Sequence, residues 1–222
     1  MIEIKNLNKI YLKGKKNMVH ALNNINLKID DRETVAIIGE SGAGKSTLHI
    51  MSCIDNFDGE YYLDNIDINK LSESKKSKLR SSKIGIVLQD FALIDDFTVF
   101  ENVMTPLYFN KKIKDKKGSV MRALKKTGIA SLKSKKVSQL SGGQKQRVAI
   151  SRALVTSPEY IFADEPTGSL DSKTSEEIVK MLFDLNRNGI TIVIVTHNLE
   201  IANQCHHIIE IKDGNIIKDI CS

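Results

Sequence analysis

Eight consecutive residues, Gly39-Glu40-Ser41-Gly42-Ala43-Gly44-Lys45-Ser46, match the pattern G-x-x-x-x-G-K-[ST] at every fixed position. Three glycines let the backbone wrap closely, so that its N–H groups and the next helix N-terminus, starting at Thr47, point at phosphate oxygens. Lys45 adds a point charge at the β- and γ-phosphates, and the Ser46 hydroxyl is a ligand for Mg²⁺. The loop follows an apolar run at 33–38 and precedes a helix-like stretch at 47–54, the strand–loop–helix setting that such a cradle needs.

A second chemical pair ends another apolar run. Tyr160-Ile161-Phe162-Ala163 is followed by Asp164 and Glu165. In open α/β sheets the carboxyl ends of the strands face the ligand crevice. Asp164 there holds Mg²⁺ through water, and Glu165 is the best-placed general base for an attacking water. Gln89 ends the run 84–88, and Thr196-His197 ends the run 190–195. A parallel sheet brings both to the same edge, His197 toward the γ-phosphate and Glu165, Gln89 toward Mg²⁺ or the water. His206 and His207 have no evident pairing partner and read as solvated or sheet-packed.

Leu140-Ser141-Gly142-Gly143-Gln144 opens a helix over 144–156. Ser141 and Gln144 form a capping-box pattern. Capping does not need two glycines in the first turn, where each costs up to about 1 kcal/mol relative to Ala. Close approach of an anion to helix-terminal N–H groups would use them. One nucleotide meets both helix starts only if the second comes from another subunit, which predicts a head-to-tail dimer.

The elements that position these groups read as α/β. Runs of four to six apolar residues without alternation suit strands buried on both faces of a parallel sheet. Strands are also expected at 1–6 and 22–29 around a turn at 13–17, as a small hairpin at 60–68, and as a closing hairpin at 208–218 around Asp213-Gly214. Residues 174–186 carry Ile178, Met181, Leu182 and Leu185 at helical spacing. Residues 91–157 lack strand signal and read as an inserted helical subdomain.

In order and spacing, the phosphate loop, Gln89, Leu140–Gln144, Asp164-Glu165, Ser169-Leu170-Asp171 and His197 resemble the nucleotide-binding subunit of an ABC transporter over essentially the whole chain. The resemblance implies a P-loop NTPase core, a RecA-like parallel sheet, with an N-terminal antiparallel β-subdomain and an inserted α-helical subdomain. It implies one ATPase domain over 1–222, with 1–90 and 158–222 as core and β-subdomain and 91–157 as helical subdomain. ATP and Mg²⁺ are the implied cofactors. Glu165, His197, Gln89 and Lys45 are the implied catalytic residues, and Ser46, Gln89 and Asp164 the metal-holding ones. Nucleotide contacts fall on 39–47, Gln89, Asp164 and His197, and on Ser141, Gly142, Gly143 and Gln144 across the dimer. Asp171 lies in the loop signalling between sites, and Tyr11 matches the ring that stacks on adenine.

The stretches 89–103 and 163–171 are similar to one branch: macrolide exporters, bacitracin and bacteriocin resistance transporters, and lipoprotein-release ATPases. Arg32, His49 and Lys145 stand where that family commonly has Gly, Leu and Gln. The implied partners are a second ATPase subunit and a separately encoded integral-membrane permease, with the chain cytoplasmic on the inner membrane face and no nucleic acid bound.

Composition agrees. In the 222 residues, 41% hydrophobic and 27% charged, no apolar run approaches the ~18 needed to span a membrane. No signal-peptide pattern opens the chain, and no appended domain is expected after residue 222. Three cysteines, Cys53, Cys205 and Cys221, have no metal-ligand spacing and suit a reducing compartment. The net charge of +6 is concentrated: residues 111–136 hold ten Lys and Arg122 against Asp115 alone, so the rest is net acidic. That disfavours the alternative of an ABC-type ATPase acting on DNA or ribosomes, which also needs a long coiled coil or two cassettes. A metabolic P-loop kinase leaves Leu140–Gln144 without a role. The basic segment reads as a solvated face that works near anionic lipid.

Overall fold

The computed structural model describes residues 1–12, 18–39, 43–110 and 112–221. In chain order, β1 (Ile2–Tyr11) and β2 (Val19–Ile29) form an antiparallel pair. Next come β3 (Thr34–Gly39), α1 (Ala43–Met51), the short hairpin β4 (Asp58–Leu63) and β5 (Ile66–Asp67), α2 (Glu73–Lys83) and β6 (Ile84–Val87). Three helices follow with no strand among the described residues between: α3 (Val99–Phe109), α4 (Lys116–Lys126) and α5 (Gly142–Leu154). The chain ends with β7 (Tyr160–Asp164), α6 (Ser172–Arg187), β8 (Thr191–Val195), α7 (Leu199–Ala202), β9 (His207–Lys212) and β10 (Asn215–Cys221).

Two sheets result. One runs β2-β1-β4-β5 and is antiparallel; the other runs β10-β9-β3-β8-β7-β6, with every pair parallel except β10 against β9. The central strands are largely apolar because both faces are covered, and β7 and β8 are buried at every residue. Alternation along a strand still divides them between two cores. Ile192 and Ile194 join Ile161 and Ala163 on the face covered by α3 to α6. Val193 and Val195 join Phe162, Leu48 and the β-meander residues Ile4 and Leu27 on the other.

The N-terminal strands outrun the expected 1–6 and 22–29, and the reason is local. Their pairing shifts register between Ile4 and Leu7, between Leu7 and Lys9, and between Lys9 and Ile10. Asn6 and Asn24 adopt left-handed φ of 49°. Asparagine tolerates that conformation, and its side chain bonds nearby backbone. The Asn6 N–H donates to Asn26 Oδ1 (3.0 Å) and the Asn24 N–H to Asn8 Oδ1 (2.9 Å). Each bulge resets the period of two, so no uniform alternation marks these strands. The expected turn at 13–17 lies outside the described residues.

Both C-terminal histidines are paired, contrary to expectation. Thr34 donates its N–H to His206 Nδ1 (3.2 Å), and Thr34 Oγ1 lies 2.6 Å from the same nitrogen. His207, 3% exposed, has Nε2 2.5 Å from Asp219 Oδ1. These are contacts between sheet neighbours far apart in the chain, which spacing cannot reveal.

Arg32 holds φ at 65°, the left-handed region. Its N–H donates to Thr191 Oγ1 (2.8 Å), and its carbonyl accepts from Asn186 Nδ2 (2.8 Å), which fixes the turn into β3. A side chain there costs about 1–2 kcal/mol, partly offset by the entropy glycine would lose. Arg32→Gly is expected to stabilise the chain by about 0.5–1 kcal/mol, a rise of ~2 °C in Tm measured by calorimetry.

Candidate functional site

The carboxyl ends of β3, β8 and β7 meet at one edge of the parallel sheet. Gly39 closes β3, and a Cβ on it would lie 3.1 Å from the Ile211 carbonyl oxygen. Glu40, Ser41, Gly42 and the side chain of Ala43 lie outside the described residues. α1 then starts against β8: a Cβ on Gly44 would come within 2.6 Å of Val195 Cγ1. Glycine at this position is a packing requirement, and it holds the start of α1 against the strand that delivers Thr196 and His197.

Lys45, Gln89, Asp164, Glu165 and His197 line one cleft of about 640 Å³, with Gly39 and Gly44 at its base. Lys45 Nζ is 3.9 Å from Asp164 Oδ2. Asp164 is 4% exposed, and burial pushes its carboxyl above the ordinary range; Lys45 draws it back down, and Glu165 raises it further. Ser46 is 3% exposed, and its Oγ lies 3.1 Å from the Tyr11 hydroxyl. Thr47 is buried beside it.

Glu165 adopts φ of +42° and donates its N–H to the Val195 carbonyl (2.9 Å). Three groups hold its carboxylate: the Thr196 hydroxyl (3.2 Å), the His197 N–H (2.9 Å) and His197 Nδ1 (2.6 Å). Non-glycine residues with such a φ cluster where surrounding structure over-determines them. The imidazole beyond Nδ1 is largely exposed and faces the cleft. Gln89 is exposed next to this group; a Cβ on Gly168 would be 3.3 Å from its Nε2.

The cleft has walls that motif reading does not reach. Glu210 and Lys212 line it from β9, and Thr196 orients Glu165. Thr196 is detectable as the residue between the end of β8 and His197; the β9 pair enters only through sheet order.

The helix start at Ser141 stands apart, and none of Ser141, Gly142, Gly143 or Gln144 lines the cleft. Its capping box is complete: the Ser141 N–H donates to Gln144 Oε1 (3.1 Å) and the Gln144 N–H to Ser141 Oγ (3.4 Å). Both glycines have a reason inside the chain. A Cβ on Gly142 would meet Leu170 Cδ2 at 3.3 Å, and one on Gly143 would meet Thr174 Cγ2 at 2.4 Å. Asp171 caps α6, accepting from the Thr174 hydroxyl (2.6 Å) and N–H (3.0 Å), and these bonds hold its carboxyl below the usual range. α5 and the 169–174 segment therefore form one packed unit.

Tyr11 donates its hydroxyl to Asp55 Oδ2 (3.0 Å), and Lys9 Nζ sits 4.8 Å from its ring centroid. Arg152 of α5, mostly buried, reaches the loop after Gln89. It donates to the carbonyls of Ala92 and, at 2.8 Å, Phe91. Phe91 and Ala92 both have left-handed φ, 61° and 44°. Lys145 of the same helix pairs with Asp95 at 3.6 Å. His49 is partly exposed and lines a groove with Arg80 and Arg152.

A parallel sheet with a phosphate loop, two carboxylates and a histidine at one edge, flanked by a β-meander and a helical layer, defines an ATP-binding cassette. The family model described as "ABC transporter" matches residues 22–168, and the chain belongs to that family as an ATP-hydrolysing subunit of the cassette type. It is 45% identical to the uncharacterized ABC transporter ATP-binding protein MJ0796 of Methanocaldococcus jannaschii, over 99% of this chain and 96% of the relative. It is also 45% identical to the macrolide export ATP-binding/permease protein MacB of Mannheimia succiniciproducens, again over 99% of this chain. The chain spans only 34% of that relative's length. Among solved structures, MJ0796 as a dimer in a post-hydrolysis state bound to ADP and Pi superimposes with a TM-score of 0.90 at 42% identity, covering 100% of this chain and 98% of that one.

Two predictions test the geometry. A buried acid with a raised folded pKa weakens the fold once ionised; stability intact below its ordinary value of 3.8 is lost as pH rises through the folded value. Asp164→Asn is therefore expected to melt above the parent at pH 7, and calorimetry should show that gain shrinking below pH ~4. Gly143→Ala is expected to destabilise the chain by about 1–3 kcal/mol in urea unfolding. Adding Thr174→Ser, which deletes the opposing methyl and keeps the Asp171 bonds, should recover most of the loss; no recovery would refute the packing role.

Proposed function

We propose that two copies of this chain close head to tail around two ATP molecules and hydrolyse them to drive a separate membrane permease. The observation that carries this reading is the separation of Ser141–Gln144 from the chain's own cleft, which leaves a second phosphate-type helix start free to complete a partner's site. The dimeric structures of the MJ0796 cassette support it.

Lys45 and the N–H groups of residues 39–47 bind the phosphates, and Tyr11 turns from Ser46 and Asp55 to stack on adenine. Ser46, Gln89 and Asp164 would hold Mg²⁺. A hydroxyl, an amide carbonyl and a carboxylate are a hard oxygen set. The buried Asp164, with Lys45 at 3.9 Å and Glu165 beside it raising its carboxyl, fits a cation supplying further positive charge. When bound, Mg²⁺ neutralises charge developing on the phosphate oxygens.

Glu165 accepts the proton of the attacking water. His197 orients Glu165 through Nδ1 and its N–H while the rest of its ring meets the γ-phosphate, and Gln89 positions the water. Ser141 and Gly143 contact the γ-phosphate of the partner's nucleotide, with Gly142 and Gln144 shaping that helix start, and Asp171 links the two sites.

The permease is a separate integral-membrane chain, and it holds this cassette at the cytoplasmic face of the membrane. No helix among the described residues is long and apolar enough to cross one. The MacB relative carries both ATP-binding and permease parts in one longer protein, which supports pairing of this cassette with a permease of related kind. Macrolides, antimicrobial peptides and lipoproteins are the substrate classes of that branch. The described lysines of 111–136 are almost all exposed, as a solvated face beside the membrane requires.

Glu165→Gln is expected to retain ATP binding, lose at least ~10²-fold in hydrolysis, and accumulate as a closed dimer on gel filtration with Mg·ATP. Hydrolysis at the parent's rate would remove Glu165 from the role of base.

A further inference from the structure

At the opposite end of the same strands, away from the nucleotide cleft, four side chains converge. Glu33 lies just before β3, His207 opens β9, and Asp219 and Cys221 lie on β10. Register explains the meeting: Val35, two residues after Glu33, pairs with His207 on one side, and Cys221 pairs with it on the other. Residues directly opposite across strands share a face, as do those two apart.

The buried His207 is polarised from both sides. Its Nε2 is 2.5 Å from Asp219 Oδ1, so that nitrogen carries the proton and donates. Nδ1 is then a lone pair, yet it lies 3.3 Å from another acceptor, Glu33 Oε1, and makes no hydrogen bond. The other oxygen of Glu33 is occupied by the Asp30 N–H at 2.8 Å, which aims Oε1 at the imidazole. Two lone pairs facing each other in a buried place need a positive charge between them. The donor atoms of Glu33, His207 and Cys221 all lie within 4.8 Å of one another.

We propose that Glu33, His207 and Cys221 form a binding site for a divalent transition-metal ion of the zinc class, with Asp219 orienting the imidazole. One carboxylate oxygen, one imidazole nitrogen and one thiolate sulfur suit zinc, and the soft sulfur excludes Mg²⁺ or Ca²⁺ as the fitting ion. The carboxylate–histidine–metal arrangement is the usual support for such a ligand. Three protein ligands leave a fourth position for water. On binding, the Cys221 thiol releases its proton to solvent and its lone pair enters the metal; Glu33 and the neutral Nδ1 donate without proton loss. Cys53 and Cys205 are no competitors, because both are buried and neither belongs to this cluster. The site would tie the edge strand β10 to the first strand of the core.

The untagged, reduced full chain, with excess Mg²⁺ to fill the oxygen site at Asp164, is titrated with Zn²⁺ by calorimetry and with Co²⁺ by absorption. One equivalent of zinc is expected, with a thiolate-to-cobalt charge-transfer band in the near ultraviolet. Cys221→Ser should abolish the band and weaken zinc at least ~10-fold, and Asp219→Asn should weaken it by about 10- to 100-fold. Both changes fall on partly or fully exposed positions of the last strand, so folding is preserved and checked by far-ultraviolet circular dichroism. Absence of zinc binding, or the same band and affinity in Cys221→Ser, would overturn the site.

Discussion

The contact on which the nucleotide site depends is the absence of a side chain at Gly44. Val195 Cγ1 fills the space a Cβ would need, so α1 approaches β8 closely. That approach sets the distance from the start of α1 to everything that follows Val195 in the chain. Thr196 and His197 come next, and both hold Glu165, whose own N–H is anchored on the Val195 carbonyl. The start of α1, Glu165 and His197 are thus referenced to one valine. Such a site tolerates little independent drift among its parts, as charge stabilisation by prepositioned groups demands.

The two cores behind the site divide the remaining labour. One face of the sheet is sealed by the β-meander, α1 and α2; the other by α3 to α7. Only the sheet itself separates them, and alternate residues of β3, β7 and β8 serve each side. The helix α1 after the glycine-rich loop belongs to the first layer, while the helix start at Ser141 belongs to the second. Their relative placement is therefore carried by the sheet and by a few contacts at its edge, such as Gln146 Nε2 donating to the Pro166 carbonyl at 2.7 Å.

Much of this is legible in the sequence, for definable reasons. Strands buried on both faces show unbroken Ile and Val runs, and chemistry that requires glycine, lysine and carboxylate at fixed spacing cannot hide. The bulged meander is less legible because each register shift erases the alternation that would reveal it. Gly142 and Gly143 illustrate a different limit: ligand approach explains them, but so do Leu170 and Thr174, and only coordinates reveal those neighbours. Arg32 departs from the glycine common in the family, and its left-handed backbone shows what that glycine is for. The pairing of His206 and His207 depends on residues 172 and 12 positions away, beyond any local pattern.

One side chain turns this static arrangement into a mechanical one. Arg152 holds two successive carbonyls of the segment that leaves Gln89, and both of those residues sit in a backbone well that costs about 1–2 kcal/mol each when unsupported. The guanidinium is itself desolvated, with Asp90 as its nearby counter-charge, so neither partner gains by a partial separation. Arg152 therefore couples the helical layer to the segment that follows Gln89. A shift of α5 that withdrew Arg152 would leave both carbonyls without this donor and both left-handed residues without its support, so the position of the helical layer is felt directly next to Gln89.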